Sequence, residues 1–357
     1  MRLGAYTACL HDKPLKNALD VLAGLGLDSA EINSGGFLPA VHLPIEDLRS
    51  SETARSEYLA LFDEAGVALT ALNCNGNPLD PDPEGARQAR DIYTSIELAA
   101  LLGVKRVVTM SGTPGSEPSS RLPVWNVVPW HSAFLRIRDY QWNEVAIPFW
   151  KKVQAFAADH DVKVCLEMHP GNVVFNPRTL ERLATEIGAT HVGAEMDPSH
   201  LFWQGIDPTE AVRSLGGLVY NAAAKDTRIN PLSKVNGNLD DSFTWVAKDD
   251  PKWLSLGGPH SLSGWPAGSS WDFVAVGRGH DVGWWTGFLD ALRDVDAEMA
   301  VNIEHEDQEL DQMAGLRYAA ETLLQAAGRG TGASPGAGAS PGAGASPGAG
   351  ASSGAGS

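Results

Sequence analysis

The chain has 357 residues, 43% of them hydrophobic, so it can bury a large core as one large domain or two ordinary ones. A net charge of −17 argues against the phosphates of nucleic acid or an anionic membrane surface as the partner. The chain shows no leader-like start, no apolar run of about 18 residues, and three widely spaced cysteines without a metal-binding pair. We therefore expect a cytoplasmic protein with reduced, mostly buried thiols.

Short apolar runs typical of buried β-strands alternate with amphipathic helical stretches along most of the chain. The predicted strands are, in chain order, residues 3–10, 30–33, 67–72, 104–110, 162–168, 191–196, 218–224 and 298–303. The predicted helices are residues 15–25, 48–65, 83–102, 146–159, 176–187, a short one after Pro208, 284–292 and 312–326. Eight strands alternating with eight helices predict a (β/α)8 TIM barrel. A doubly wound sheet is less favoured because no glycine-rich phosphate loop follows the first strand.

The predicted barrel domain spans residues 1–328 and contains two long loops, at 113–141 and 227–276. Both loops are rich in tryptophan. From Gly330 onward the sequence repeats glycine, alanine, serine and proline without a charge or a large apolar side chain. Such a sequence cannot offset the entropy of ordering by burial, so we expect residues 329–357 to form a disordered tail.

Three acidic residues follow strand-like runs at the ends of the fifth, sixth and eighth predicted strands. They are Glu167, Asp197 and Glu304. The carboxyl ends of parallel strands meet at one mouth of a barrel, so these side chains should converge there. Because gathered carboxylates repel one another, a divalent cation is the usual reason for such a cluster. A single acid of this kind is as often a helix cap, but three together favour a metal site.

Five sequence blocks then resemble a known family. They are Glu-Met-His-Pro at 167–170, Asp-Pro-Ser-His-Leu-Phe-Trp-Gln-Gly at 197–205, Ala-Lys-Asp-Thr at 224–227, Val-Gly-Arg-Gly-His-Asp at 276–281 and Ile-Glu-His-Glu-Asp at 303–307. In this order they resemble the sugar phosphate isomerase/epimerase family of xylose isomerase-like barrels, which is related to the ketose 3-epimerases. The resemblance covers residues 1–328.

The resemblance implies one divalent ion, Mn²⁺ first, with Mg²⁺, Co²⁺ or Zn²⁺ as alternatives. It assigns Glu167, Asp197 and Glu304 as ligands, together with a histidine on strand seven. This chain has Ala223 at that position, and an alanine cannot bind a metal. The amide of Asn221, one step deeper on the same strand, is one replacement. A histidine from another strand (residue 169, 200 or 280) is a second, and a weakened or absent metal site is a third.

The resemblance also implies roles in catalysis and substrate binding. In the related epimerases the two metal-binding glutamates act as an acid/base pair, here Glu167 and Glu304, which removes and returns a proton beside a carbonyl through an enediolate. The predicted substrate contacts are His169, His200, Lys225, Arg228 and His280. His200 matches a position that hydrogen-bonds substrate oxygen, and Lys225 and Arg228 lie near a cationic contact of the family. His169 and His280 are added because one shares a strand face with Glu167 and the other lies in a glycine-rich turn.

The leading functional hypothesis is therefore a metal-dependent sugar isomerase or epimerase. One alternative is a lyase that acts on an oxidised sugar, either cleaving 3-keto C-glycosides or dehydrating a keto-inositol, because the tryptophan-rich loops suit a large glycoside or a small partner subunit. Another is a metal-free sugar-binding barrel, which Ala223 favours. The expected partner is a small-molecule sugar or glycoside, without nucleic acid or membrane, and we expect a homo-oligomer.

Overall fold

The computed structural model describes residues 1–329 and shows a closed barrel of eight parallel strands. The barrel strands are β1 (Arg2–Tyr6), β2 (Ser29–Asn33), β3 (Ala68–Asn73), β4 (Arg106–Met110), β5 (Lys163–Glu167), β6 (Val192–Met196), β7 (Val219–Ala224) and β12 (Ala300–Ile303). Each strand pairs with its neighbours in chain order, and β12 closes the barrel against β1. The predicted (β/α)8 barrel is confirmed.

Four short strands lie outside the barrel within the loop at 227–276. They are β8 (Asp226–Ile229), β9 (Ser255–Gly257), β10 (His260–Ser261) and β11 (Trp271–Val274). β8 pairs with β11 and β9 with β10, both antiparallel. We call the β8–β11 pair the ribbon, because it carries the chain back over the barrel mouth after β7.

Helices surround the barrel and include all eight predicted ones. They are α1 (Leu15–Gly24), α2 (Ile45–Ser50), α3 (Glu52–Ala65), α4 (Pro83–Leu102), α5 (Ser132–Asp139), α6 (Ile147–Asp159), α7 (Pro177–Ile187), α8 (Pro198–Phe202), α9 (Pro208–Leu215), α10 (Ser233–Asn236), α11 (Val282–Val295) and α12 (Gln312–Ala326). The hydrophobic pattern does not predict α5, α8 or α10. Short 3₁₀ turns cover Thr7–Leu10 and Gly216–Leu218, and a π-helix at Tyr140–Ala146 joins α5 to α6. None of the helices within residues 1–329 is long and apolar enough to cross a membrane.

Two predicted elements differ from the structure. The first strand ends at Tyr6, and the rest of the predicted run forms the turn Thr7–Leu10. The single helix predicted at 48–65 is two helices, because Ser51 has an extended backbone and its side chain caps the second helix by accepting a hydrogen bond from the amide of Ala54. Serine at such a position stabilises a new helix start rather than a helix interior.

The main core lies between the barrel and the helices. Alternate strand residues point outward into it, for example Ile32, Leu72 and Leu166, and all are fully buried. The intervening residues point into the barrel, where Cys165 packs with Ala71 and other small side chains. All three cysteines are buried and unpaired, as expected. This alternation brings Glu167, two positions after Cys165, to the upper end of the barrel interior.

The C-terminal end of the described chain lies against the start of the barrel. Arg329 forms an ion pair with Asp28 at 3.0 Å and donates a hydrogen bond to the carbonyl oxygen of Met1 at 2.6 Å. The rest of the predicted tail at 329–357 lies outside the described residues. The domain boundary at residue 328 stays a prediction.

We expect Gly4→Ala to destabilise the barrel, because a Cβ at this position in β1 would lie 2.0 Å from the carbonyl oxygen of Ser29 in β2. Backbone cannot move aside cheaply, so the free energy of unfolding should fall by about 3 kcal/mol, the upper end of overpacking costs. Gly287→Ala is the matched control, because a Cβ there meets nothing within 4 Å on the exposed face of α11. It should raise the free energy of unfolding by about 0.5–1 kcal/mol through helix propensity. Urea denaturation of both variants measures the difference, and equal stability would contradict the close packing of β1 on β2.

Candidate metal centre

Three strand ends bring three carboxylates together at the mouth of the barrel. Glu167 is the last residue of β5, Asp197 follows β6 and caps α8, and Glu304 follows β12. The amide of Glu304 donates to the carbonyl oxygen of Ala224 at 3.0 Å, which extends the ladder between β12 and β7 by one residue. One oxygen from each carboxylate lies within 4.8 Å of the others. The structure therefore places all three predicted metal-binding acids around one point.

Burial makes this arrangement electrostatically costly. Glu167 and Asp197 are almost fully buried, and the side chain of Glu304 is 18% exposed. Burial, reinforced by repulsion from Glu167, raises the pKa of Asp197 to about 7 against the opposing field of Lys225. Burial also raises the pKa of Glu304 well above its usual range, against the same opposing field. Crowded carboxylates resist ionising together, and a divalent cation between them would favour their charged forms.

Buried polar atoms without hydrogen-bond partners indicate whether these residues fit a cation. Glu167 Oε1, Asp197 Oδ2 and His200 Nε2 are buried, and none has a hydrogen-bond partner among residues 1–329. The imidazole nitrogen nevertheless lies 2.9 Å from Glu167 Oε1 and 3.3 Å from Asp197 Oδ2. Buried polar atoms normally have partners. Nε2 lies at hydrogen-bonding distance from Glu167 Oε1 without the alignment of an N–H donor, and a divalent cation among the three atoms would satisfy all of them. The residues fit a divalent metal.

Three predicted substrate contacts, His169, His200 and Lys225, lie directly beside the acids. The ring of His169 lies 4.0 Å from that of His200, and one ligand atom of each lies within 4.8 Å of a Glu167 oxygen. Lys225 Nζ lies 3.0 Å from both Glu304 Oε1 and Glu306 Oε1. Burial alone would lower the pKa of Lys225, but the neighbouring carboxylates outweigh it and raise that pKa well above its usual range. The ammonium group therefore remains charged at the edge of the cluster.

Arg228 and His280 are engaged away from the acids. Arg228 lies on the ribbon and pairs with Asp272 at 3.2 Å and Glu309 at 2.9 Å. His280 Nδ1 lies 2.7 Å from Asp226 Oδ1, and its ring stacks on Phe202 at 3.7 Å. The structure does not bring these two side chains into the cluster. Their predicted substrate contacts stay predictions.

The glycine-rich turn that contains His280 has a structural explanation. Asp226 Oδ2 accepts backbone hydrogen bonds from Gly277, Gly279 and His280, each at 3.0 Å. A Cβ at residue 279 would lie 2.4 Å from the carbonyl oxygen of Thr227, so the turn needs glycine there. The buried carboxylate of Asp226 thus holds the backbone of the turn at 277–280 in place after the ribbon.

A second polar layer, which the sequence analysis did not identify, lies below the acids inside the barrel. Glu31 accepts hydrogen bonds from the side-chain amides of Asn73 at 2.7 Å and of Asn221 and Asn302 at 3.3 Å each. Asn221 also donates to Glu195 at 3.0 Å. Asn221 therefore belongs to this lower layer through its NH₂ group, although its Oδ1 has no partner within residues 1–329. The signal in the sequence was a set of polar residues at inward positions of otherwise apolar strands.

Asn75 is a further residue near the acids that the sequence analysis did not identify. It follows β3 and donates its side-chain amide to Glu167 Oε2 at 2.6 Å. One oxygen of Glu167 is thus held by an amide while the other faces the cluster. The Asn-Cys-Asn sequence at the end of a predicted strand was the available signal.

Aromatic side chains line one side of the cluster. Phe273 on β11 lies edge-on to His200 at 5.4 Å, and the Lys225 ammonium lies 4.4 Å from the centre of its ring. Three tryptophans continue this surface, which we call the aromatic wall. It comprises Phe273, Trp265, Trp271 and Trp203, with successive ring centres 4.8–5.6 Å apart.

The chain belongs to the xylose isomerase-like TIM barrel family, whose pattern matches residues 19–326. It is 39% identical over 330 residues to uncharacterized protein YfiH of Bacillus subtilis (strain 168), an alignment that covers 91% of this chain and 99% of that one. Among solved structures it resembles the IOLI protein with a bound zinc atom (19% identity, TM-score 0.57, 93% and 100% of the two chains). It also resembles the 3-keto-D-glucoside 4-epimerase YcjR from E. coli (13% identity, TM-score 0.56, 92% and 99%). At these identities the structural likenesses show the fold alone.

We expect Mn²⁺ to stabilise the protein against unfolding, because a cation that binds only the folded cluster shifts the folding equilibrium. At a free concentration 100 times the dissociation constant, the gain should be about 2.7 kcal/mol. Asp197→Asn should lose most of this gain. The control is Glu210→Gln, since Glu210 is an exposed acid on α9 that pairs with Arg213. Thermal unfolding with and without Mn²⁺ measures the effect, and equal stabilisation of both variants would place the metal elsewhere.

Proposed function

We propose that the protein is a metal-dependent sugar isomerase or epimerase that abstracts a proton next to a carbonyl group. The observation that carries this proposal is the convergence of Glu167, Asp197 and Glu304 at the carboxyl ends of three barrel strands. Active sites of TIM barrels lie at this face. Membership of the xylose isomerase-like family supports the proposal, as does the epimerase named among proteins of the same fold.

When bound, the divalent ion supplies positive charge that polarises the substrate carbonyl and acidifies the adjacent C–H bond. Glu167 and Glu304 project from β5 and β12, on separate sides of the barrel mouth. In an epimerisation, the carboxylate of one accepts the proton from carbon, and the carboxyl group of the other returns a proton to the opposite face of the enediolate. The reverse reaction exchanges the two roles.

Neighbouring side chains support this pair. Asn75 donates to Glu167 Oε2 and so fixes the direction of the other oxygen. Lys225 donates to Glu304 and stabilises its ionised form between proton transfers. His169 lies at the same mouth, half-buried, where its imidazole is positioned to hydrogen-bond a sugar hydroxyl.

We expect Glu304→Gln to abolish proton exchange while the fold persists, because glutamine keeps the volume but cannot carry the proton. Incubation in D₂O with a panel of ketoses and Mn²⁺, followed by NMR, measures loss of the α-proton signal. The rate should fall by at least about 100-fold. Glu306→Gln is the matched control, because Glu306 also lies 3.0 Å from Lys225 but is 49% exposed and outside the cluster. A near-native rate in Glu304→Gln would contradict the role of Glu304.

A lyase on an oxidised sugar is the second candidate, and Phe273, a partly exposed member of the aromatic wall beside His200 and Lys225, favours it. Aromatic faces stack on a flat group attached to a sugar, which an enzyme of free ketoses does not need. The two reactions share proton abstraction but differ in product. Release of the aglycone from a 3-keto-glycoside would support the lyase, and solvent exchange without cleavage would support the epimerase.

A sugar-binding barrel without a metal is the third candidate, and Ala223 on β7 favours it. We expect elemental analysis of the purified full chain to find close to one divalent ion per chain if the protein is an enzyme of the proposed class. Dialysis against Mn²⁺ followed by gel filtration controls for loss of metal during purification. Sugar binding by a chain that retains no Mn²⁺, Co²⁺ or Zn²⁺ after this treatment would support the binding module instead.

A further inference from the structure

We propose that His200 is the nitrogen ligand of the metal centre. This inference rests on the proposed metal-dependent function and names how this chain completes the site. β7 lies between β6 and β12 in the barrel. The strands on either side lead to Asp197 and Glu304, but the last inward residue of β7 is Ala223, which is level with Asn302, is buried and offers only a methyl group. The next inward residue after β7 is Lys225, which pairs with Glu304. β7 therefore supplies no ligand atom at the level of the acids.

Helix α8 supplies a nitrogen atom at this place instead. Asp197 caps the helix by accepting a hydrogen bond from the amide of Ser199 at 2.8 Å, so the chain turns sharply after β6. The turn places the third helical residue, His200, beside Glu167 and Asp197. Its Nε2 lies 2.9 Å from Glu167 Oε1 and 3.3 Å from Asp197 Oδ2. The ligand-bearing side of the ring thus faces Glu167 and Asp197, two of the three carboxylates.

The environment of His200 suits a ligand better than a hydrogen-bond donor. The residue is 1% exposed, and neither its Nε2 nor the two nearby carboxylate oxygens has a hydrogen-bond partner within residues 1–329. His169 and Phe273 pack against the ring at 4.0 Å and 5.4 Å, so its orientation is fixed. A buried nitrogen that is held close to two oxygens without hydrogen-bond geometry is accounted for when all three bind one cation.

The other candidates for the missing ligand are engaged elsewhere. Asn221 donates to Glu31 and Glu195 in the layer below. His280 is paired with Asp226 outside the cluster. His169 remains near, but it is half-buried, and its Nδ1 contacts the carbonyl oxygen of the next residue in its own loop. His169 is therefore the natural comparison for His200 in a test.

The types of these four ligand atoms determine which metal ions the site prefers. Three carboxylate oxygens and one imidazole suit Mn²⁺, Co²⁺ or Zn²⁺, whereas Mg²⁺ prefers oxygen ligands alone. Replacing His200 with glutamine removes the nitrogen while leaving the carboxylates. The variant should bind Co²⁺ at least about 10-fold more weakly, the scale on which perturbing a metal site lowers affinity, and Mg²⁺ with little change.

The decisive experiment detects nitrogen at the metal directly in the full-length protein. Pulsed EPR of the Mn²⁺-loaded chain should show ¹⁴N modulation from one coordinated imidazole. We expect the signal to vanish in His200→Gln and to persist in His169→Gln, with circular dichroism confirming that both variants fold. If His200→Gln does not fold, ¹⁵N NMR of histidine-labelled wild type titrated with Zn²⁺ should still show one ring, that of His200, with a metal-shifted nitrogen.

Three outcomes would overturn the assignment. They are persistence of the signal in His200→Gln, its loss in His169→Gln, and a wild-type protein that binds Mn²⁺ without any nitrogen signal. In each of these cases the metal centre of the proposed function survives and only the ligand is wrong. Failure of the wild type to bind Mn²⁺, Co²⁺ or Zn²⁺ removes both the assignment and the metal-dependent reaction, so the two failures are distinguishable.

Discussion

Mutual repulsion of carboxylates in a dry barrel interior is the constraint on which the rest of the site depends. The ladder between β5 and β6 sets Glu167 opposite Glu195, so acids face each other across neighbouring strands. Ionised groups cannot be left in such a place without compensation. The barrel meets this requirement differently at two heights.

In the lower layer, burial raises the pKa of Glu31, and three amide hydrogen bonds oppose that shift by favouring the charged form. Such a carboxylate is a structural element, comparable to a buried capping group. In the upper layer Lys225 compensates Glu304, but Glu167 and Asp197 keep buried lone pairs without partners. In the lower layer Glu195 Oε2 also has no partner within residues 1–329, so Glu31 is the carboxylate there that the amides satisfy on both oxygens.

Much of the fold and part of the site were predictable because they follow from short-range rules. Alternation along strands and their polar ends identified the eight strands and the three converging acids. The pairing of His280 with Asp226 was not predictable, since it depends on how a loop of about fifty residues returns to the barrel. The role of Glu31 in the lower layer needed the inter-strand register, which brings amides of three different strands to it. The break at Ser51 shows that a local cap can interrupt a continuous helical pattern.

The ribbon formed by β8 and β11 is separate from the barrel strands that position the three acids. Phe273, which touches the imidazole of His200, belongs to the ribbon and not to the eight-stranded barrel frame. The frame already fixes the three acids of the candidate centre through its own ladder. Exchange of the ribbon for another segment would therefore alter which molecules are admitted while the barrel still holds the same charged groups, and new specificities can arise without rebuilding the centre.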